Sequence, residues 1–325
     1  MASDPTRALV PLRAAPTTVA IVNPMAQSGG TEERWQLIRE AMRARFPGLQ
    51  TRRTEAPGHA SVLCREALEA GAQTIISVGG DGTCNEVLGG FVDAEDGHNR
   101  FPEATLAVLA AGTGGDFQRM FGRARLERQV ERLCAAQTRT VDYGVARYRD
   151  GEGRDRMRPF LNVASVGVSG DVVRRVNTSN AQLGPTAKYL LGSLQGIAGW
   201  RNVQIEISRD GGAARRVDLT LGIVANGQYF GAGMWVCPQA AIDDGQFDWL
   251  EVTGMSRRTL VATLAKVFDG KHLRVRGVEH GRARQVSMRP VWEQAVVPIE
   301  VDGEQVGQLP ASFELQVGTL RLRVG

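Results

Sequence analysis

The chain has 325 residues, of which 42% are hydrophobic and 23% charged, and this length suggests about two domains, each able to bury a core. Lysine and arginine together outnumber aspartate and glutamate by 39 to 35, which excludes a disordered polyion and a strongly basic, histone-like nucleic-acid binder. Only Lys188, Lys266 and Lys271 are lysines, so the basic residues are almost all arginines.

The four cysteines, Cys64, Cys84, Cys134 and Cys237, form no CxxC pair and show no zinc-like spacing with the four histidines. We therefore expect reduced, mostly packed thiols and a cytoplasmic protein. Residues 1–16 lack the apolar stretch of a signal peptide and are interpreted as a flexible tail. No window approaches the ~18 consecutive apolar residues of a spanning helix, so any membrane contact is expected to be peripheral.

From Thr17 the chain alternates short apolar runs with stretches of helical spacing. The predicted elements are strand 17–22, a helix after residue 31 with acidic residues in its first turn, strand 49–54, helix 60–70 ended by Gly71, strand 74–78 and strand 106–110. Strands separated by helices imply a parallel sheet with right-handed crossovers. Ligands then bind beyond the carboxyl ends of the strands.

After about Thr140 the pattern is predominantly β. Strands are predicted at 141–148, 160–168, 203–208, 217–224, 247–253, 296–301 and 320–324, and helices at 185–198 and 257–268. The boundary between the two halves is predicted near Arg139. Residues 184–200 could form an amphipathic helix that docks on a membrane or lines an acyl pocket, although their mixed spacing favours a buried core helix.

Three glycine-containing loops follow strands of the first half. Residues 23–30 (NPMAQSGG) precede a helix and could approach a phosphate, although taken alone they are better explained as a flexible βα connection. In residues 78–87 (VGGDGTCNEV), three glycines surround Asp81, a density that favours phosphate binding over a turn capped by Asp81. In residues 111–119 (AGTGGDFQR), Asp116 is either a helix N-cap or a second acid at the phosphates.

These loops are neither a Walker A loop nor a GxGxxG fingerprint. Together with Asn226–Met234, Pro238–Gly245 and Val301–Glu304, they resemble the diacylglycerol kinase catalytic domain of bacterial lipid kinases and sphingosine kinases. NAD kinases share only the GGDGT core. The resemblance runs from about Thr17 to the C-terminus, and it implies a Rossmann-like nucleotide domain at 17–139, a β-sandwich lipid domain at 140–309, and a segment, 310–325, that could return to the first domain.

The resemblance also implies site residues. Nucleotide contacts map to the following residues: Asn23, Thr54, Gly79, Gly80, Asp81, Gly82, Thr83, Cys84, Asn85, Gly112 and Thr113. Glu304 is the implied general base, and Asp81 and Asp116 are the implied carboxylates around magnesium. A separate structural magnesium site maps to the Asp244 side chain and the backbone oxygens of Ala241 and Gln246. Gly115 stands where the family usually has asparagine.

The implied activity is transfer of the γ-phosphate of ATP, with Mg²⁺, to the hydroxyl of diacylglycerol or a similar lipid in phospholipid metabolism. The expected enzyme is bacterial, peripheral to the inner face of the membrane, without nucleic-acid partners, and a homodimer is left open. Two alternatives remain: a kinase of a soluble substrate of NAD kinase type, and a nucleotide-binding regulator without turnover.

Overall fold

A computed structural model describes residues 17–26, 30–110, 115–122, 124–135, 137–178 and 184–324. Gly112 and Thr113 lie outside this part of the chain. The elements of the first half are β1 (Thr18–Val22), α1 (Gly30–Arg45), β2 (Gln50–Arg53), α2 (His59–Glu69), β3 (Thr74–Gly79), α3 (Asp81–Phe91), β4 (Thr105–Ala110), α4 (Asp116–Arg119) and α5 (Leu126–Ala135).

The first half is built on the predicted parallel sheet, in the order β4-β3-β1-β2. Successive residues of β1 face opposite sides of the sheet, and both sides are buried. Val19 and Ile21 pack with the helices α2 and α3, whereas Ala20 and Val22 pack with α1 and α5. The apolar runs of β1, β3 and β4 predicted these strands correctly, whereas the edge strand β2 is polar and half-exposed.

Helix α3 was not predicted, because its sequence is rich in glycine. The structure shows why Gly90 belongs there: a Cβ atom at this position would lie 2.4 Å from the Cβ of Cys64 in α2. The glycine therefore lets the two helices approach closely. By contrast, the predicted end of α2 is confirmed, since Gly71 has φ +91° and its N–H donates to the carbonyl of Leu68 at 2.9 Å.

The second half follows as β5 (Arg139–Arg149), β6 (Asp155–Phe160), β7 (Val163–Gly167), α6 (Val168–Thr178), α7 (Pro185–Gly199), β8 (Val203–Arg209), β9 (Arg215–Ala225), β10 (Tyr229–Phe230), β11 (Met234–Trp235), β12 (Phe247–Thr253), α8 (Arg257–Val267), a 3-10 helix (Lys271–Arg274), β13 (Val278–Ala283), β14 (Gln285–Pro290), β15 (Pro298–Val301) and β16 (Glu304–Val324). The predominance of β structure is confirmed.

Six antiparallel pairings close a ring of strands, in the order β16-β14-β8-β9-β7-β15 and back to β16. Its apolar core contains Phe160, Phe247 and Phe313, with the first two rings stacked at 5.6 Å. The long strand β16 begins in this ring, and its last residues, Arg321–Val324, pair in parallel with β4. The two halves of the chain thus share one strand.

Two predictions for the second half are wrong. The predicted strand 160–168 is interrupted at residues 161–162, and Val168 already begins helix α6. The segment 184–200 does form a helix, α7, but it is not a buried core helix, because Leu190, Leu191 and Leu194 are exposed. Among the described residues, no helix is both long and apolar enough to cross a bilayer.

Candidate active site

The carboxyl ends of β1, β2 and β3 bring several predicted site residues together. The Asn23 side chain follows β1 and donates from Nδ2 to Oγ1 of Thr83 at 3.1 Å. Its Oδ1 accepts from the backbone N–H groups of Met25 and Ala26, which fixes the turn after the strand. Thr54, buried at the end of β2, donates its backbone N–H to the carbonyl of Val22 at 3.0 Å.

The glycine-rich loop passes directly from β3 into α3. A Cβ atom on Gly79 would lie 2.4 Å from Oγ1 of Thr83, whereas a Cβ atom on Gly80 would meet nothing within 4 Å. Only hydrogen at Gly79 therefore allows the Asn23–Thr83 contact. Cys84 is buried beside this loop, and burial together with the nearby Asp81 carboxyl raises the pKa of its thiol, so it stays neutral.

We expect Gly79→Ala to lower the free energy of unfolding by about 1–3 kcal/mol, because the new methyl group overlaps the Thr83 side chain. Gly80→Ala is the matched control, since Gly80 has φ −100° and open space around it. Urea unfolding of the two variants measures the difference. Equal stability of the two proteins would contradict the close packing at Gly79.

Asp81 and Asp116 are neighbours across the loops after β3 and β4. Oδ2 of Asp81 accepts the backbone N–H of Asp116 at 2.7 Å, so Asp81 caps helix α4. The alternative that Asp116 is the N-cap is wrong, because Gly115 holds that position and Asp116 is the first helical residue. Oδ1 of Asp116 accepts from Nε of Arg119 at 2.8 Å, and Oδ2 accepts from the N–H of Ala232 at 2.7 Å.

Both carboxyls have raised pKa values. Burial, reinforced by the charge of Asp116, raises the pKa of Asp81 to about 7. Burial also raises the pKa of Asp116, although the N–H of Ala232 and the Arg119 guanidinium act in the opposite direction. Two desolvated carboxyls side by side form a site whose charge a divalent cation would balance.

Glu304 is presented by a tight hairpin between β15 and β16. Asp302 and Gly303, with φ +46° and +88°, form the two-residue turn, and Val301 pairs with Glu304 across it. The predicted hairpin is therefore present. A Cβ atom on Gly82 would lie 3.1 Å from Oε1 of Glu304, so this carboxylate rests against the N-terminus of α3. The structure thereby brings Glu304 to the loop that contains Asp81.

The hairpin is held by a buried network that sequence reasoning missed. The Asp302 carboxylate accepts the backbone N–H groups of residues 161, 162 and 163, at 3.0, 3.1 and 2.9 Å. It also accepts from Nδ2 of Asn85 at 2.9 Å. Nδ2 of Asn85 additionally donates to the carbonyl of Pro159 at 2.8 Å. Both amide hydrogens of Asn85 are thus used to join α3 to the β half.

Arg158 is a second residue that sequence reasoning did not identify. Its Nε donates to Oδ1 of Asn85 at 2.7 Å, and its Nη2 lies 2.8 Å from Oε2 of Glu304. One guanidinium group therefore fixes both the α3 amide and the Glu304 carboxylate. No local pattern marks Arg158, because its partners lie 73 and 146 positions away along the chain.

Two further titratable groups lie near the carboxyls. Glu300 is fully buried, bonded to the Ser165 hydroxyl and the Gly303 N–H, and burial raises its pKa to about 8. Tyr189 of α7 packs against Gly231, where a Cβ atom would lie 3.3 Å from the ring. Burial and the charges of nearby carboxyls, those of Glu300, Asp116 and Asp81, raise the pKa of Tyr189. Its phenol therefore stays protonated beside the site.

The predicted structural magnesium residues lie in one turn before β12. Oδ1 of Asp244 accepts the backbone N–H of Gln246 at 3.1 Å, and Oδ2 lies 3.6 Å from Nη1 of Arg282. Ala241 is in the same turn and half-buried. Among the described residues, no three His, Cys, Asp or Glu side chains are grouped to hold a metal. A cation here would depend on backbone oxygens, which are hard donors that suit magnesium.

An apolar cavity of about 100 Å³ lies between α6, α7 and α8 and the strands β9 and β12. Its walls include Ile197 of α7, Leu264 of α8 and Ile223 of β9. Ser169 and His272 also line it, and Oγ of Ser169 and Nδ1 of His272 are buried without a hydrogen-bond partner among the described residues. The cavity therefore has room for only a few methylene groups, and two unpaired polar atoms lie in its wall.

Comparisons with known proteins agree with this architecture. The family profile "Diacylglycerol kinase catalytic domain" matches residues 17–146, and "YegS C-terminal NAD kinase beta sandwich-like domain" matches residues 162–324. The second half is thus the predicted β-sandwich domain. A solved structure described as a diacylglycerol kinase from Bacillus anthracis superposes with a TM-score of 0.68 at 22% identity, covering 95% of this chain and 97% of that one, which shows the same fold.

Two curated relatives are more similar in sequence. The "Diacylglycerol kinase" of Bacillus subtilis is 30% identical over 81% of each chain. A protein of Pseudomonas fluorescens described as "Probable lipid kinase YegS-like" is 32% identical over 88% of each chain. Both family profiles and both relatives indicate the same family. The chain therefore belongs to the bacterial diacylglycerol kinase and YegS-like lipid kinase family.

Proposed function

We propose that this kinase transfers the γ-phosphate of ATP to the hydroxyl of diacylglycerol or a lipid of similar shape. The observation that carries the proposal is the contact of Glu304, from the β half, with Gly82, from the nucleotide half. An alcohol bound between the halves would meet a carboxylate and a phosphate-binding loop together. The small apolar cavity under α7 favours an acceptor with an apolar part over a dinucleotide, which is polar throughout.

The chain's own residues suffice for the protein's part in phosphoryl transfer, which is mostly positioning and charge stabilisation. Asn23 and Thr83 hold the first loop against the glycine-rich loop, whose N–H groups at the start of α3 would bind a phosphate of the nucleotide. Glu304 accepts the proton of the attacking hydroxyl, and Arg158 fixes the orientation of its carboxylate.

Asp81 is the residue that we expect to hold Mg²⁺, with Asp116 supporting it through the backbone contact between them. The raised pKa of Asp81, about 7, fits this role, because a carboxyl destabilised by burial gains most from a cation. When bound, the ion neutralises charge on the phosphates. A second Mg²⁺ at Asp244, Ala241 and Gln246 would brace the turn before β12.

The test is incubation of the purified protein with γ-labelled ATP, Mg²⁺ and a total lipid extract, followed by identification of the labelled product. We expect a phosphorylated neutral lipid that co-migrates with phosphatidic acid. A parallel reaction with NAD in place of lipid tests the soluble-substrate alternative. ATP binding without transfer to any acceptor would indicate a regulator and overturn the proposal.

A variant of the cavity tests the acyl chain separately. Leu264→Trp places a larger side chain in the cavity wall, so we expect KM for long-chain diacylglycerol to rise about tenfold, the scale set by a few methylene groups. KM for a short-chain diacylglycerol and for ATP should stay near the wild-type values. Leu37→Trp, at an exposed leucine of α1 in the nucleotide half, is the matched control. If Leu264→Trp raises KM equally for long-chain and short-chain diacylglycerol, the acyl chain does not bind in this cavity.

A further inference from the structure

Helix α7 turns its small residues inward and its leucines outward. Cβ atoms on Gly192 and Gly196 would lie 2.8 and 2.6 Å from valine methyl groups of α6, so these glycines form the close helix contact. Leu190, Leu191 and Leu194 remain 42%, 42% and 38% exposed. An amphipathic helix that serves only the core of a protein does the opposite.

Helix α8 continues this surface beside α7. The two helices are in contact, and Nη2 of Arg257 lies 3.4 Å from the carbonyl of Trp200, just after α7. Val261 and Phe268 are exposed on or directly after α8, while Leu260 and Leu264 turn inward to the cavity. Apolar side chains that face solvent thus occur on both helices above the cavity.

The charge of this region differs from that of the rest of the chain. Residues 184–202 and 256–276 contain one acidic residue, Asp269, and eight basic residues: Lys188, Arg201, Arg257, Arg258, Lys266, Lys271, Arg274 and Arg276. All three lysines of the chain are among them. Since the whole chain has a net charge of only +4, the remainder is net acidic. The positive charge is therefore concentrated at α7, α8 and the 3-10 helix.

We propose that the solvent-facing side of α7 and α8, here named the α7–α8 surface, docks on an anionic phospholipid bilayer. Leucines and a phenylalanine enter the boundary of the acyl region while lysines and arginines meet the phosphate groups. A second copy of the chain is a poorer occupant, because two such basic surfaces repel each other. The inference rests on the proposed function, since a lipid substrate would reach the enzyme from the bilayer on which this surface docks.

Sedimentation with lipid vesicles tests the surface without reference to turnover. Wild-type protein should bind vesicles in which about a third of the phosphatidylcholine is replaced by phosphatidylglycerol, and bind pure phosphatidylcholine weakly. The double variant Arg258→Gln, Lys266→Gln should bind the anionic vesicles about 30-fold more weakly, because each basic residue contributes about fivefold. Leu191→Asn with Leu194→Asn should weaken binding at least about tenfold to the same vesicles.

Leu37→Asn with Arg45→Gln, both exposed on α1, is the matched control and should bind like wild type. If this control loses as much vesicle binding as the α7–α8 variants do, or if both α7–α8 variants bind like wild type, the proposed docking surface is wrong. A change of oligomeric state in the leucine variant, seen by light scattering together with unchanged vesicle binding, would assign the surface to a second copy and also overturn it.

A soluble short-chain diacylglycerol separates the two proposals. The α7–α8 variants should phosphorylate it at the wild-type rate, because no bilayer is needed. If the variants lose vesicle binding while the wild type phosphorylates no lipid at all, the docking surface stands and the proposed function fails. If wild-type turnover is normal and vesicle binding does not depend on α7 or α8, the function stands and the docking surface fails.

Discussion

Glu304→Gln is expected to reduce transfer to lipid by about 10²- to 10⁴-fold, the usual contribution of a positioned general base. Glutamine has the same shape, and its amide oxygen can still accept the Arg158 N–H that lies 2.8 Å from Oε2 of Glu304. The hairpin itself is held by Asp302, so the fold is not expected to change. The variant therefore removes a proton acceptor and little else.

The measurement is kcat with saturating ATP and lipid, together with nucleotide affinity by calorimetry. ATP affinity should remain within about twofold of wild type, and Glu304→Asp should recover part of the rate, because a carboxylate is restored. Glu314→Gln, on the same strand and exposed, is the control. Normal turnover of Glu304→Gln would show that another group accepts the proton, and a large loss of ATP affinity would make Glu304 a nucleotide contact.

The parts of the fold that depend on local pattern were predictable. Strands β1, β3 and β4 are short apolar runs followed by glycine-rich turns, so periodicity alone located them and the edge at which their loops meet. The Asp302–Gly303 turn was recognisable for the same reason. Helix α3 was not, because the glycines that allow its contact with α2 weaken the helical pattern.

The interior of the site was not predictable from local pattern, because its contacts join distant segments. Asn85 reaches Asp302 across 217 positions, and Arg158 joins Asn85 to Glu304. In the sequence, no pattern near Asn85, Arg158 or Asp302 indicates which distant residue each one contacts. The orientation of α7 could not be predicted for a related reason. Its glycines pack against α6, and this contact is known only from the arrangement of the two helices in the fold.

Asp81→Asn is expected to abolish most activity and, without magnesium, to stabilise the fold. The pKa of Asp81 is raised from an ordinary 3.8 to about 7 by burial and by Asp116. A carboxyl whose folded-state pKa is raised contributes stability below its unfolded pKa, and that contribution is lost as pH rises towards 7. Asparagine removes this loss, while its oxygen still accepts the Asp116 N–H.

In buffer that contains a metal chelator, we therefore expect the free energy of unfolding of Asp81→Asn to exceed that of wild type by about 2 kcal/mol at pH 7.5. Near pH 4 the two proteins should have nearly equal stability. The figure is less than the full pKa shift implies, because Asp81 as a residue is only half-buried. Urea unfolding between these pH values measures it. Asp155→Asn, at a 95% exposed side chain, should show no such pH dependence.

With magnesium, wild type should have the higher free energy of unfolding of the two proteins, because the cation binds ionised Asp81 and stabilises wild type but not the variant. The apparent magnesium affinity of the variant should fall about 10- to 100-fold. Wild-type activity at limiting magnesium should rise as the pH increases through about 7, where Asp81 ionises. At saturating magnesium the same rise should occur at lower pH, because the cation favours the ionised carboxylate. Unchanged magnesium dependence in Asp81→Asn would place the ion elsewhere. Stability that does not respond to pH would show that Asp81 is not strained by burial. Because the substitution should raise stability in the presence of chelator and yet abolish most turnover, a general unfolding effect cannot produce both results.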